Sequence, residues 1–469
     1  MLFLITALAL RFISFFPAVI NHDESTYIVI ADALLNGQTY WIDVVDTKPV
    51  GIFLVYAGLE WLFGSSIFAL RLSATLMVVL TAFGVYRAKL NLGSHPGAAR
   101  ASGVIFIFLC SLFTFYGVSP NTETYFVALT ALAFWLVSDH PSSLRSWVAG
   151  ILLGIGFVIK YVVVFDALAL AVLLLLRETS WRTVWRQWVP LGIGMLLPFL
   201  SVLWYYAQLG ALDTFFFYTF ELSSRYPETS SFLDYVKSPL DFFLRFFPVT
   251  LLLGSVFVRR FSFPYMHWGV LWSVLVLIIV LLPGTFFGHY YIQLMLPVSF
   301  LAGEAFSAQR FKHPRWLRWF LRPVPGGIFL GLVVVLNWVF QKKDYLDRRD
   351  YPRVLTEYIS PYLDADDQVY FANDAHVAYF LLDRPSPIKY VHPSLFWSEK
   401  HVKALDINVT AQIDTLKTVP PEFIVFKQDD RLENRASFWN WLSAMYQQVA
   451  TIDRFRIYRY RGDTESTEQ

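Results

Sequence analysis

Apolar runs long enough to cross a bilayer recur along most of this chain, each closed by a short polar or basic segment. A crossing helix needs about 20 apolar residues, fewer when it is tilted or half-inserted. On that measure the runs near 2–20, 67–86, 101–117, 124–138, 147–159, 161–176, 188–208, 241–258, 266–283, 291–307 and 325–340 read as eleven transmembrane helices. The pattern changes in two places. Residues 24–36 and 50–63 alternate polar and apolar positions at helical spacing over a shorter length, which predicts two amphipathic helices on the membrane surface. After about residue 344 the apolar runs stop. Strand-like segments QVYFA (Gln368 to Ala372), PIKYV (Pro387 to Val391), EFIVFK (Glu422 to Lys427) and FRIYRY (Phe455 to Tyr460) there alternate with helical stretches, which predicts a small α/β domain. The expected organisation is a mainly α, multi-pass helical bundle over 1–344 and a water-soluble α/β domain over 345–469.

Composition agrees with this reading: 56% of the 469 residues are hydrophobic and 16% charged, and the mean hydropathy is +0.48. The first run carries Arg11 inside it and lacks a small-residue cleavage site, so it reads as a retained span rather than a signal peptide. A net charge of +2 argues against a nucleic-acid partner. The single cysteine, Cys110, lies in an apolar run and reads as a small packing residue. Lysine and arginine collect on the cytoplasmic side of a membrane. Here Arg87, Lys89, Arg100, Arg145, Arg177, Arg182, Arg186, Arg259, Arg260 and the basic run from Arg310 to Arg322 fall on alternate loops. The opposite loops are acidic, with Asp23, Glu24, Asp32, Asp43, Asp46, Glu123, Asp213, Glu221, Glu228 and Asp234, and therefore face outward, as does the C-terminal part.

The chemistry concentrates in the first long polar interruption, NHDESTYIVIADALLNGQTYWIDVVDTKP, Asn21 to Pro49. Two adjacent carboxylates, Asp23 and Glu24, open it beside the first span, and Lys48 closes it before Pro49. Ionisable groups at a membrane boundary are costly to bury without a partner and mark function more often than decoration. The arrangement resembles the GT-C fold glycosyltransferases that use lipid-linked sugars, in particular the protein O-mannosyltransferase and lipid A aminoarabinose transferase group. The resemblance rests on HDE, His22 to Glu24, and on DTKPVGIFLVY, Asp46 to Tyr56. It implies that Asp23 is the catalytic acidic residue, with Glu24 beside it, and that Lys48 holds the phosphate of the carrier lipid. The aminoarabinose enzymes carry a glutamate used at a metal site immediately before that lysine. Here the position is Thr47, so the need for a divalent cation stays open.

Other candidates for substrate binding lie on the outward loops. Glu123 in SPNTE is either a substrate contact or a favourable charge at a helix start. Lys160 divides what would otherwise be one apolar run of about 30 residues into two half-spans; its partner is either a carrier phosphate or Asp166. Arg225, in the long loop 210–240 with Glu221 and Glu228, offers the two-donor fork that suits phosphate. His289 and Tyr290, in GTFFGHYYIQLMLP, read as head-group contacts or as an interfacial belt. Asp374 and His376 in NDAH read more readily as loop-end caps than as catalysts. No phosphate-loop or dinucleotide motif is present.

Retained spans, an outward acid and outward cations suit a glycosyltransferase of the cytoplasmic membrane that moves a sugar from a polyprenyl phosphate carrier to a lipid, glycan or protein acceptor. Inversion at the sugar is what the family resemblance implies. A transporter or flippase of lipid-linked sugars is the alternative, and a scaffold whose outer domain binds partners is a further rival; the latter leaves HDE and DTKP unexplained.

Overall fold

The computed structural model describes all residues except 114–116, 140–141, 179, 226–229, 259–263, 308–322, 429–435 and 463–469. Glu228, Arg259, Arg260 and the basic run from Arg310 on therefore lie outside the described residues. The chain divides into two units, Met1–Phe16 with Ile67–Gln208 and Glu228–Arg348, and Pro17–Ser66 with Leu209–Pro227 and Arg349–Gln469.

The first unit is helical, as its apolar runs require. Its helices are Leu2–Arg11, Ile67–Asn91, Pro96–Leu109, Thr122–Ser138, Ser143–Ile159, Val164–Arg177, Trp181–Gln208, Phe232–Arg245, Phe247–Val258, Met266–Leu281, Tyr291–Ala302 and Pro323–Gln341. Among the described residues, Ile67–Asn91 and Trp181–Gln208 are each long and apolar enough to cross a membrane alone. A third crossing arises if Phe232–Arg245 and Phe247–Phe257, bent by 93°, are taken together. The expected span 241–258 straddles that bend. Lys160 ends Ser143–Ile159 in extended backbone, and a short turn, Tyr161–Val163, leads into Val164–Arg177.

Small residues and buried cations hold this unit together. A Cβ at Gly150 would lie 2.2 Å from the carbonyl oxygen of Leu191, and one at Gly194 would lie 2.3 Å from that of Trp147. Glycine is what lets Ser143–Ile159 and Trp181–Gln208 pack backbone to backbone, the usual device where lipid offers no hydrophobic drive between helices. Arg11 is buried and donates to the carbonyls of Cys110, Gly117 and Val118 at 3.0, 2.8 and 2.7 Å, and to Thr75 Oγ1 at 3.2 Å. It thereby serves carbonyls that follow the end of Pro96–Leu109 and have no helical donor. Lys89, also buried, pairs with Glu304 at 2.7 Å. Cys110 is free and buried.

The second unit joins the polar opening stretch to the C-terminal region. Helices His22–Leu35 and Gly51–Phe63 fall where helices are expected, but the first is not an amphipathic surface helix: Glu24 to Ala31 are buried in an unbroken run, so its whole circumference is covered. The C-terminal region forms a four-stranded mixed sheet of β1 (Val369–Phe371), β2 (Phe423–Lys427), β3 (Tyr446–Ile452) and β4 (Phe455–Tyr460), in the order β1-β2-β4-β3. β1 and β2 are parallel, and the other pairs antiparallel.

One expected strand fails here, and one strand was not expected. PIKYV is no sheet strand, because prolines at 385, 387 and 393 interrupt ladder pairing around it. Instead Tyr390 forms a single parallel bridge to Val45, whose N–H donates to the Lys389 carbonyl at 2.8 Å. The segment YQQVATI, by contrast, is the edge strand β3, whose mostly solvent-facing side chains give it little apolar alternation.

Candidate active site

The opening stretch of the second unit is folded by its own polar groups. Asn21 stands in extended backbone before His22–Leu35, and its side chain accepts the Glu24 N–H at 3.0 Å. The Glu24 carboxylate accepts the Ile20 N–H at 3.1 Å and is fully buried. Such a cap is worth about 1 kcal/mol, and it aligns the first helical turn, where the helix dipole favours a negative charge. Asp23 stands in that turn with its side chain 22% exposed.

Opposite it, the loop that ends at Lys48 is pinned by aromatics. The Tyr40 hydroxyl donates to the Lys48 carbonyl at 2.5 Å, and Trp41 Nε1 donates to the Asp46 carbonyl at 3.2 Å. The Lys48 ammonium then lies 2.9 Å from Asp23 Oδ1, 3.4 Å from Asp46 Oδ2 and 5.3 Å from the centre of the Tyr27 ring. The structure thus brings together Asp23, Glu24 and Lys48, with Asp23 open, Glu24 closed in as a cap and Lys48 between two carboxylates.

Three histidines surround this pair, none of which stands out as a catalyst from the sequence. The rings of His22, His376 and His392 lie 6.0, 6.5 and 5.9 Å apart, centre to centre. His376 follows the carboxyl end of β1, after Ala375, which takes a left-handed conformation at φ 60. That conformation costs a non-glycine residue roughly 1–2 kcal/mol, and such strain is characteristic of functional turns. Asp374, in the same turn, accepts Lys427 Nζ at 2.6 Å and lies 3.9 Å from His22 Nδ1. Asn373 ties the turn to the end of β2 by exchanging two hydrogen bonds with the Lys427 backbone. His392 caps the short helix Pro393–Trp397, and its Nε2 stands 3.9 Å from Asp23 Oδ1. Burial lowers the pKa of both internal imidazoles, His376 well below the ordinary histidine range and His392 to about 4. Both are therefore neutral near pH 7. They lie some 350 residues from Asp23 in the chain, so no local spacing links them to it; His376 is visible in the sequence only as part of NDAH, where it reads as a loop-end cap.

The remaining candidates gather in the first unit, apart from Arg225. Lys160 forms an ion pair with Glu123, which is buried in the first turn of Thr122–Ser138. The Lys160 ammonium also lies 3.8 Å from the centre of the Tyr290 ring, and His289 packs on that ring edge-on at 4.8 Å. Asp166, the alternative partner of Lys160, instead accepts from Trp272 Nε1 and Gln293 Nε2, each at 2.7 Å. Arg225 belongs to the second unit, where it pairs with Glu221 at 2.7 Å and covers the Phe217 ring at 4.7 Å.

The residues do not fit the metal site of the aminoarabinose enzymes. Thr47 replaces the expected glutamate, the Lys48 ammonium fills the space between Asp23 and Asp46, and among the described residues no three His, Cys, Asp or Glu side chains converge on a cation position.

Parts of the chain are similar to known proteins. Residues 47–206 match a family model described as dolichyl-phosphate-mannose-protein mannosyltransferase. The chain is 26% identical over 181 residues to the undecaprenyl phosphate-alpha-4-amino-4-deoxy-L-arabinose arabinosyl transferase of Erwinia tasmaniensis, covering 36% of this chain and 32% of that protein. It is 32% identical over 165 residues to the protein of the same name from Edwardsiella ictaluri, covering 33% and 28% respectively. The aligned part thus spans about a third of the length of these relatives. The fold is similar to that of ArnT from Cupriavidus metallidurans bound to undecaprenyl phosphate, with a TM-score of 0.68, 15% identity and 97% of both chains covered. These matches bear out the resemblance drawn from the sequence, and the likeness of fold extends through the C-terminal region.

Proposed function

We propose that this chain is a glycosyltransferase of the cytoplasmic membrane. It transfers a sugar from a polyprenyl phosphate carrier, of the undecaprenyl phosphate class, to a lipid, glycan or protein acceptor on the outer face. The observation that carries this reading is the Asp23–Lys48 pair: a partly open carboxylate at a helix start, held at 2.9 Å by a lysine fixed in a pinned loop. The relatives are named as transferases, and no observation favours a transporter.

The chemistry follows from the two groups. When the carrier phosphate arrives, its charge draws the Lys48 ammonium away from Asp23 and frees the carboxylate. Asp23 takes the proton of the acceptor hydroxyl as that oxygen attacks the anomeric carbon. The bond from carbon to the phosphate oxygen breaks, its electron pair stays on the phosphate, and Lys48 stabilises the added charge. A single displacement inverts the anomeric centre. Glu24 supports the first turn of the helix that presents Asp23. We assign Lys160, Glu123, His289 and Tyr290 to substrate binding in the first unit, because an ammonium held by one carboxylate and an aromatic face can exchange that carboxylate for phosphate or sugar. Arg225 is proposed as a phosphate contact in the second unit. We further propose eleven spans over residues 1–344, a cytoplasmic N-terminus, and an extracytoplasmic region 345–469.

Membranes of a strain lacking the protein supply donor and acceptor together. Purified full-length protein added back to them, with radiolabelled polyprenyl phosphate sugars, should transfer label into the envelope lipid or glycan fraction. Asp23→Asn keeps the shape but cannot take the proton, and should lower transfer by at least about 10²-fold. An Asp23→Asn protein within a few-fold of wild type would overturn the assignment.

A further inference from the structure

His392 caps Pro393–Trp397 through Nδ1, which accepts the Ser394 backbone N–H at 3.2 Å. A backbone N–H can only donate, so Nδ1 carries no proton and the neutral ring keeps its proton on Nε2. That Nε2–H stands 3.9 Å from Asp23 Oδ1, and both side chains are partly open, 18% and 22% exposed. The separation is too long for a direct hydrogen bond but suits one intervening oxygen about 2.8 Å from each atom. We propose that Asp23 and His392 together form the seat of the acceptor hydroxyl, which donates its proton to Asp23 Oδ1 and accepts a hydrogen bond from His392 Nε2–H.

This proposal rests on the reading of Asp23 as the base and adds the acceptor's half of the site. A hydroxyl has one proton to give and lone pairs to receive with, and the two groups match both functions. An imidazolium there would repel Lys48 and weaken the basicity of Asp23, so the neutral ring is the useful form. Burial keeps it neutral near pH 7, in surroundings that contain Asp46, Asp23, Lys48, His22 and His376. The cap fixes the orientation of the ring as well as its tautomer. The acceptor is thus recognised by a group from the C-terminal region, whereas the carrier phosphate is held by Lys48 from the opening stretch.

Two substitutions separate the donor function from the cap. In His392→Gln the side-chain amide still reaches towards Asp23 with an N–H. In His392→Asn the shorter side chain caps the helix well but falls short of the hydroxyl seat. In the add-back assay, with the membranes as acceptor and their concentration varied, His392→Asn should lose about 10-fold or more in transfer, mainly as weaker dependence on acceptor. His392→Gln should stay within about 3-fold of wild type, and dependence on the carrier-linked sugar should be unchanged in both. Nitrogen chemical shifts of the labelled ring should report a neutral Nε2–H tautomer at pH 7. Wild-type transfer by His392→Asn, equal loss in both variants, or an Nδ1–H tautomer would overturn the proposal. Asp23→Asn in parallel distinguishes the two readings. If it is inactive while His392→Asn is fully active, only the hydroxyl seat falls; if it is active, the catalytic reading falls with it.

Discussion

Replacing Lys48 with methionine removes a charge that serves two purposes, and the structure separates their magnitudes. The ammonium lies 2.9 Å from Asp23 and 3.4 Å from Asp46, whose side chain is only 2% exposed. At an effective dielectric near 20 each contact is worth about 5 kcal/mol before desolvation, and a charge-assisted hydrogen bond nets about 1.5–3 kcal/mol. Passed to the carrier phosphate, that interaction corresponds to roughly a 10- to 150-fold rise in donor KM. The second effect is on stability, because Asp46 is left buried without its cation. We expect Lys48→Met to cost about 2 kcal/mol in unfolding free energy, below the 3–5 kcal/mol typical of a fully buried pair because Lys48 is a quarter exposed. Asp46→Asn in the Lys48→Met background removes the stranded charge. The double variant should regain most of the lost thermal stability while its donor KM stays high. Donor titrations in the add-back assay and thermal unfolding in detergent measure the two effects independently. A double variant with wild-type donor KM, or Lys48→Met with no donor defect, would show that Lys48 only neutralises Asp46.

Glu123 is 1% exposed and Lys160 22%, so Lys160→Met should destabilise the first unit by about 3 kcal/mol, and Glu123→Gln added to it should recover most of that loss in thermal unfolding. Gly150→Ala places a methyl where a carbonyl oxygen lies 2.2 Å away, and should lower the melting temperature by several degrees, whereas Gly192→Ala, with open space around it, should not. His392 titrates at about 4 when folded, against an ordinary value near 6.5, so the unfolded chain takes up its proton first as pH falls. Stability should therefore drop between about pH 6.5 and 4, by about 2–3 kcal/mol from this group, and His392→Gln should flatten that slope. Reporter fusions at Gly93 and Arg182 should read cytoplasmic, and those at Asn36, Ser230 and the C-terminus external; a cytoplasmic C-terminus would refute the eleven-span topology.

Helices were the most legible part of the sequence, because a membrane imposes long apolar runs that turn chemistry then interrupts. The break at Lys160 was readable for that reason: one charge in about 30 apolar residues has to end a helix or find an anion. Which anion it finds was not readable, since Glu123 and Asp166 both sit at helix starts and only packing chooses between them. Asp23 and Lys48 could be singled out because each lies at the edge of a polar stretch between apolar ones. His376 stands out only as a loop-end residue in NDAH and His392 not at all, since their meaning comes from a turn after β1 and a helix cap that converge on Asp23 only in three dimensions. The sheet shows the same division. β2 and β4 have dense β-branched and aromatic residues, whereas the edge strand β3 is polar enough to pass for a loop, and PIKYV has strand composition with prolines that keep it out of the ladder.

The single bridge between Val45 and Tyr390 also bears on the order in which the protein comes into being. The acidic helix leaves the ribosome early, but the Tyr390 segment that braces its loop, and the His376 and His392 imidazoles, are made some 350 residues later. Chain growth proceeds at about 5–20 residues per second, so for tens of seconds the nascent protein holds Asp23 and Lys48 without Tyr390, His376 and His392. On the function proposed above, a chain without His376 and His392 would carry the Asp23–Lys48 pair but lack the acceptor's half of the site. Activity would then begin with completion of the C-terminal region, a timing that a pulse of synthesis followed by assay of stalled and released chains would resolve.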